Sequence, residues 1–259
     1  MNQEKRILVC EDSMEGIFSA VYDGWKECAG GCKVSIQTSF PVSMELFTSY
    51  REIATDQSKA GKVMRTILMR LGSEVYEQIC LAAASADEDR GTAIYYVLHR
   101  AFWGGRCEKR VMEALADPYV SRVAKLALCV KREYHHYFGF VRFREIGGRF
   151  LLAKIQPGND ILSLMALHFS NRFPNENWVI YDEKRQKALC HEKGKECVMR
   201  KGVRIQVPGS AVGDMGEYEE LWQTFCDSIS IEARRNEKLQ KQMLALHFRS
   251  NTPEFSVKG

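Results

Sequence analysis

The sequence predicts an α+β protein: a strand pair and a helical block, then an antiparallel hairpin and meander with one inserted helix, closed by a long C-terminal helix. Three observations predict it. Apolar residues recur with helical period over most of the first half. From Phe138 the pattern changes to short alternating runs punctuated by Gly-Gly and Pro-Gly. The last amphipathic stripe, from about Glu217 to Leu246, reads as one long helix.

Taken in order, RILVC (Arg6 to Cys10) is a short apolar strand that runs into a helix with Phe18, Val21, Tyr22 and Trp25 on one stripe. Asp12, three residues before Glu15, has the spacing of a capping box, whose carboxylates satisfy the free amides of the first turn. VSIQT (Val34 to Thr38) alternates like a second strand. Asp56 to Ala84 is one helical stretch through Val63, Met64, Ile67, Leu71, Val75 and Ile79, and further helices follow over Gly91–Trp103, Glu108–Leu115 and Pro118 to about His136.

FGFVRFREIGGRFLLAKIQPG then predicts two strands around a turn at Gly147-Gly148. Asn159 caps a helix running through Phe173, after which short β runs separated by polar turns predict the meander. The long helix at the end carries Tyr218, Leu221, Trp222, Phe225, Ile229, Leu239 and Met243 along one side. The whole is one domain over 1–259; if it has two subdomains, they are a mainly helical 1–137 and a sheet-plus-helix 138–259.

Composition narrows the class of protein. With 259 residues, 45% hydrophobic and 27% charged, the chain can bury a core without metal or disulfide staples. No run of about 18 apolar residues occurs, and the start lacks a signal-peptide run, so neither a membrane span nor secretion is expected. Nine scattered cysteines suit reduced thiols in a cytoplasmic protein. The net charge is +4, and its basic excess lies after Leu128, with 21 Lys and Arg against 16 Asp and Glu. Such an excess is compatible with a nucleic-acid surface.

Metal and cofactor signatures are missing. Cys28/Cys32 and Cys190-His191/Cys197 have no second close pair, so no zinc site is expected, and no C-x3-C-x2-C cluster exists to hold an iron–sulfur centre. There is no phosphate loop, dinucleotide fingerprint, nucleophile elbow or deaminase signature, nor the water-activating motifs of a uracil-DNA glycosylase. No cofactor is expected.

The most informative stretch is Arg132 to Phe143. Its F-G-F-V-R-F fits the last six positions of the signature by which RNA-recognition sheets stack bases. As a strand it would place Phe138, Phe140, Arg142 and Arg144 on one face, an arrangement suited to stacking and phosphate contact. The competing reading is a core strand with phenylalanines turned inward. The helical approach to this segment argues against the RNA-recognition fold itself.

Elsewhere, His168 and Arg172 share a helix face, positioned to grip a phosphate or to complement the helix dipole. Asp182 and Arg185 follow a strand and have turn spacing. His135 stands beside Glu133 near a helix end. His135, His168 and Asp182 are thus the acid–base candidates, while Arg132, Phe138, Phe140, Arg142, Arg144, Arg149, Arg172 and Arg185 are the nucleic-acid-binding candidates.

The pieces RILVCEDSMEG, REYHHYFGFVRF, IQPGNDILSLMALHFSNRF, NWVIYDEKR and IEARRNEKLQ together resemble a family of bacterial DNA-metabolism proteins over nearly the whole chain. The family's proline- and aromatic-rich ending is not reproduced by MLALHFRSNTPEF. The resemblance implies a role near DNA without a defined reaction. Members are encoded beside a radical-SAM protein of DNA modification or repair, or fused ahead of a uracil-DNA-glycosylase-like domain. The expected function is a DNA-binding accessory protein acting with such a catalytic partner. The alternatives are a metal-independent DNA-processing enzyme using the His and Asp candidates, and a protein-interaction scaffold docking through its last helix.

Overall fold

Four consecutive buried residues, Ile7, Leu8, Val9 and Cys10, make β1 (Lys5–Cys10) a strand covered on both faces, the signature of a parallel sheet under helices. The computed structural model describes residues 5–28, 33–40, 45–102, 108–146 and 150–205. The chain divides into two compact units, Met1–Arg132 and Glu133–Gly259. Among the described residues no helix is long and apolar enough to cross a membrane.

In the first unit β1 leads through α1 (Met14–Cys28) to β2 (Lys33–Gln37) and then to β3 (Thr48–Ile53). The sheet has order β2-β1-β3 and is parallel throughout, Lys5 standing opposite both Lys33 and Thr48. The expected strand pair is therefore a three-stranded sheet. The third strand, TSYREI, escapes pattern reading because it is a polar edge of which only Ile53 is buried.

The cap of α1 also differs from expectation. Ser13 Oγ accepts from Gly16 N at 3.0 Å, while the Asp12 carboxylate pairs with the Arg90 guanidinium. The single helix expected over Asp56–Ala84 is two, α2 (Gln57–Leu71) and α3 (Ser73–Ala83). Gly72 between them has φ +97°, a conformation that breaks the helical path and that L side chains rarely adopt. Asp56 caps α2, its Oδ1 accepting from Ser58 N at 2.7 Å and Lys59 N at 3.2 Å.

α4 (Arg90–Phe102) packs on β2, where Thr92 Oγ1 accepts from Ile36 N and donates to Ile36 O, at 2.9 and 3.0 Å. That hydroxyl satisfies backbone groups an edge strand would otherwise leave open. In place of the helix expected over Glu108–Leu115 there is only a short 3-10 turn, Val111–Glu113.

The largest correction concerns the stretch around Phe138. The helix expected to end near His136 continues as α5 (Pro118–Phe140), and residues 141–143 are irregular. The F-G-F-V-R-F segment is not a strand, so Phe138, Phe140, Arg142 and Arg144 do not share a pleated face; on a helix Phe138 and Phe140 point about 200° apart.

The second unit continues with β4 (Arg144–Ile146), β5 (Phe150–Ile155), α6 (Leu162–Arg172), β6 (Trp178–Asp182), β7 (Lys187–His191) and β8 (Val198–Lys201). The sheet order is β4-β5-β6-β7-β8, antiparallel except where β5 and β6 run parallel. The meander is thus interrupted, because α6 carries the chain back to start β6 in the same direction as β5. Asn159 does not cap α6: its N-cap position is Ile161, without a side-chain bond. Leu152, Ile155, Trp178, Ile180 and Leu189 of the sheet are buried, as are Leu162, Met165 and Phe169 of α6. The turn at Gly147-Gly148 and the long helix expected over Glu217–Leu246 lie outside the described residues.

Close packing of α4 on β2 makes a testable contrast. A Cβ at Gly91 would sit 2.7 Å from Ile36 Cγ2, so Gly91→Ala is expected to destabilise the protein by about 1–3 kcal/mol. A Cβ at Gly61, within α2, meets nothing within 4 Å, and Gly61→Ala is expected to stabilise by about 0.5–1 kcal/mol. Equilibrium denaturation of both variants measures the difference.

Candidate functional site

The last turns of α5 and the body of α6 bring together the rings separated in the sequence. Phe138 lies flat on His168, centroids 3.8 Å apart and planes 12° from parallel. His135, one turn earlier on α5, stands 6.0 Å from Phe138. Phe143, just beyond the helix, meets Phe169 at 5.5 Å and Phe173 at 5.3 Å, both edge to face. Phe169 also touches Phe138 at 6.2 Å, which joins the two groups into one cluster. The Arg172 guanidinium lies 5.7 Å from the Phe173 centroid, a cation–π contact at the cluster's rim.

Burial divides these rings into a floor and a rim. Phe169 and Trp178 are core residues, at 2% and 0% exposure. Phe138, Phe143, His168 and Phe173 are half-buried, and His135 and Arg172 are exposed. His168 Nε2 has no hydrogen-bond partner among the described residues. Burial lowers the His168 pKa from its ordinary 6.5, with Arg172 and His135 adding in the same direction, so the ring is neutral at pH 7.

Beside this cluster a polar knot holds the loop from β5 to α6. Glu133 on α5 accepts from Gly158 N at 2.7 Å with one oxygen, and from Asn159 N at 3.0 Å and Asn159 Nδ2 at 2.6 Å with the other. Arg185 donates to Pro157 O at 3.0 Å and to Gly158 O. Asp182, fully buried, receives Arg185 Nη1 at 3.1 Å on one oxygen, and Lys184 N and Arg185 N at 2.9 and 3.1 Å on the other. Tyr137, one turn beyond Glu133, is buried, and burial followed by the Glu133 charge pushes its phenol above the usual range.

The sequence candidates therefore part company. Phe138, His135, His168 and Arg172 come together. Asp182 and Arg185 are engaged with each other and with their own turn, and His135, His168 and Asp182 share no hydrogen bond. Arg142 Nη1 donates to Gly139 O at 2.7 Å, Arg144 is exposed on β4, and Phe140 is half-buried at the end of α5. Arg132 is exposed on α5 within the first unit. Arg149 lies outside the described residues, as does Cys32 of the Cys28/Cys32 pair. Among the described residues no group of three His, Cys, Asp or Glu side chains is placed to hold a metal ion.

Sequence reading missed Phe143, Phe169 and Phe173 as members of the cluster, and Glu133 as the loop's anchor. The i, i+4 spacing of Phe169 and Phe173 was available as a signal; the partner on another element was not.

These features define a mixed α/β protein whose second unit carries a half-exposed aromatic cluster edged by a histidine and an arginine. A family model described as a domain of unknown function, DUF4130, matches residues 88–254, and the chain belongs to that family. The matched span takes in α4, α5 and the second unit as far as residue 254, and leaves the parallel sheet outside it. No curated protein matches the chain.

Two outcomes test this geometry. Glu133→Gln removes the charge that three N–H donors share, and is expected to lower stability by about 1–3 kcal/mol by denaturant unfolding. Because the folded-state pKa of His168 lies below 6.5, the unfolded chain binds more protons, and stability falls as pH drops below 6.5. His168→Phe, which keeps a ring on Phe138, is expected to flatten that fall; part of it remains, because burial lowers the His99 pKa in the same way.

Proposed function

We propose that the protein is a DNA-binding accessory factor of DNA repair or modification, and that unpaired bases stack on the aromatic cluster of the second unit. One observation carries the reading: two pairs of half-exposed rings, Phe138 with His168 and Phe143 with Phe173, are joined through buried Phe169, with the Arg172 guanidinium at the edge. Rings supply sequence-tolerant stacking and an edge cation supplies phosphate contact, which is how single strands are held without base-specific readout. A duplex hides its base faces, so a surface of this kind favours single strands over duplex.

The reaction in this reading belongs to a separate partner, and the family resemblance points to a radical-SAM protein in that role. The engagement of Asp182 with Arg185 supports binding over metal-independent catalysis, since it removes the carboxylate from any acid–base pair with His135 or His168.

Fluorescence anisotropy with labelled single-stranded, duplex and uracil-containing oligonucleotides tests the proposal. Single-strand binding is expected, weakening as salt rises from about 50 to 200 mM. Phe138→Leu, which keeps an apolar side chain but removes the π face, is expected to cost about 1–3 kcal/mol of binding. Arg172→Ala is expected to reduce the slope of log affinity against log salt by about 0.7. Failure to bind any of the three oligonucleotides at low salt would sink the proposal.

A further inference from the structure

The first unit contains a second concentration of rings and cations with different chemistry. Between α1, α2 and α4 lies a cavity of about 410 Å³, walled by Val21, Trp25, Val63, Ile67, Leu98 and Phe102. This is within the size range of small-molecule sites. Trp25 is 38% exposed and set edge to face against Phe102 at 6.0 Å.

Lys26 and Tyr22 also line the cavity, and positive charge gathers around that tyrosine. Lys26, Lys59 and Lys62 place their ammonium groups 5.3, 6.0 and 5.7 Å from the centroid of the single Tyr22 ring. Lys59 is neutralised by both oxygens of Asp23, at 2.8 and 2.9 Å. Lys26 and Lys62 have no carboxylate partner among the described residues, and both are exposed. Two like charges converging on one ring repel each other, and an anion between them relieves that repulsion.

We propose that this cavity binds an amphipathic anion, its aliphatic tail seated on Trp25, Leu98 and Phe102 and its carboxylate or phosphate head between Lys26 and Lys62. The walls select against a nucleobase. The Thr66 hydroxyl, the one neutral polar side chain in the wall apart from Trp25 and Tyr22, already donates to Lys62 O at 2.7 Å, so a base edge would be buried largely unsatisfied. An alkyl tail has no such requirement, and burying it is favourable in proportion to its area. The site is independent of the stacking surface proposed above: it lies wholly in the first unit, and most of its wall precedes the family span.

Titration calorimetry and Trp fluorescence with decanoate, decyl phosphate, 1-decanol and dTMP test it on the full chain. Saturable binding of at least one of the two decyl anions is expected, about tenfold tighter than 1-decanol. Which of the two binds more tightly distinguishes a carboxylate from a phosphate head. The double variant Lys26→Ala/Lys62→Ala is expected to bring the anion to the level of 1-decanol while leaving the alcohol unchanged. Thr66→Trp, at an exposed position of the wall, is expected to fill the cavity and abolish binding of both. If that variant fails to fold, the lysine pair decides the matter alone. Equal affinity for anion and alcohol in the unaltered protein, no effect of removing both lysines, undiminished binding to folded Thr66→Trp, or tighter binding of dTMP than of either decyl anion would each overturn the proposal.

Discussion

The Glu133 carboxylate is the constraint on which the arrangement of the second unit depends. The loop between β5 and α6 belongs to neither ladder nor helix, so its amides and carbonyls need side-chain partners if they are not to face water or remain open. Glu133 takes three of the donors, and Arg185 takes the carbonyls of Pro157 and Gly158. A negative group from the helix before the sheet and a positive group from the turn after β6 thus hold one short loop. Gly158 is where they meet: a Cβ there would lie 3.2 Å from Glu133 Oε1. Because Phe138 lies on the same helix as Glu133, the bond that fixes the start of α6 also fixes His168 over Phe138. The stacking of one ring on the other is a downstream result of a carboxylate five residues earlier.

The first unit solves a comparable problem with a buried cation. Arg90 has a side chain only 3% exposed, yet its guanidinium donates to Ala83 O, Asp87 O and Thr38 Oγ1 and pairs with Asp12. A buried charge is tolerable when its donors are satisfied in this way. The consequence is that the end of α3, the end of β2, the loop after β1 and the start of α4 are held to one group. This also explains why Asp12 is not the helix cap that its spacing suggests. Ser13 is free to cap α1 because the neighbouring carboxylate is engaged elsewhere.

What was legible in the sequence was whatever depends on local pattern. β1 could be found because four adjacent apolar residues have few alternatives to a buried strand, and the helices of the first half because their period persists. Gly72 divides one such period without disturbing it, so two helices read as one. β3 was illegible because an edge strand need bury only one residue. The segment from Phe138 to Phe143 shows the opposite failure. Its aromatic and β-branched residues favour a strand locally, and Gly139 weakens a helix. Tertiary contacts nevertheless extend α5, since Tyr137 is buried and Phe138 packs on α6. Asp182 and Arg185 were legible as a turn, but the grip of Arg185 on Pro157 and Gly158, 28 and 27 residues away, was not. Long-range partners of polar side chains leave no periodic trace.

The two sequence readings of the central aromatic segment, base platform and inward-packed core, both assume a strand; as the end of α5 and the residues after it, the segment instead sets half-buried Phe138 against Phe169 and half-buried Phe143 against Phe169 and Trp178. Phe169 and Trp178 are buried, and the half-buried rings of Phe138, Phe143 and Phe173 pack against Phe169. In the proposed function, a ring held by neighbours would lose little further freedom when a base stacked on it, so core packing and base stacking would not compete. The same argument separates the two proposed sites. In the second unit the rings are half-buried with the Arg172 guanidinium beside Phe173, which suits flat, polar-edged partners in the proposed reading. In the first unit Trp25 and Phe102 line a mostly apolar cavity with Lys26 beside it, which suits an apolar body with one charged end in the proposed reading. Similar residue types, rings and cations, would thus select opposite ligands at the two proposed sites, because burial decides which part of a ligand must give up water.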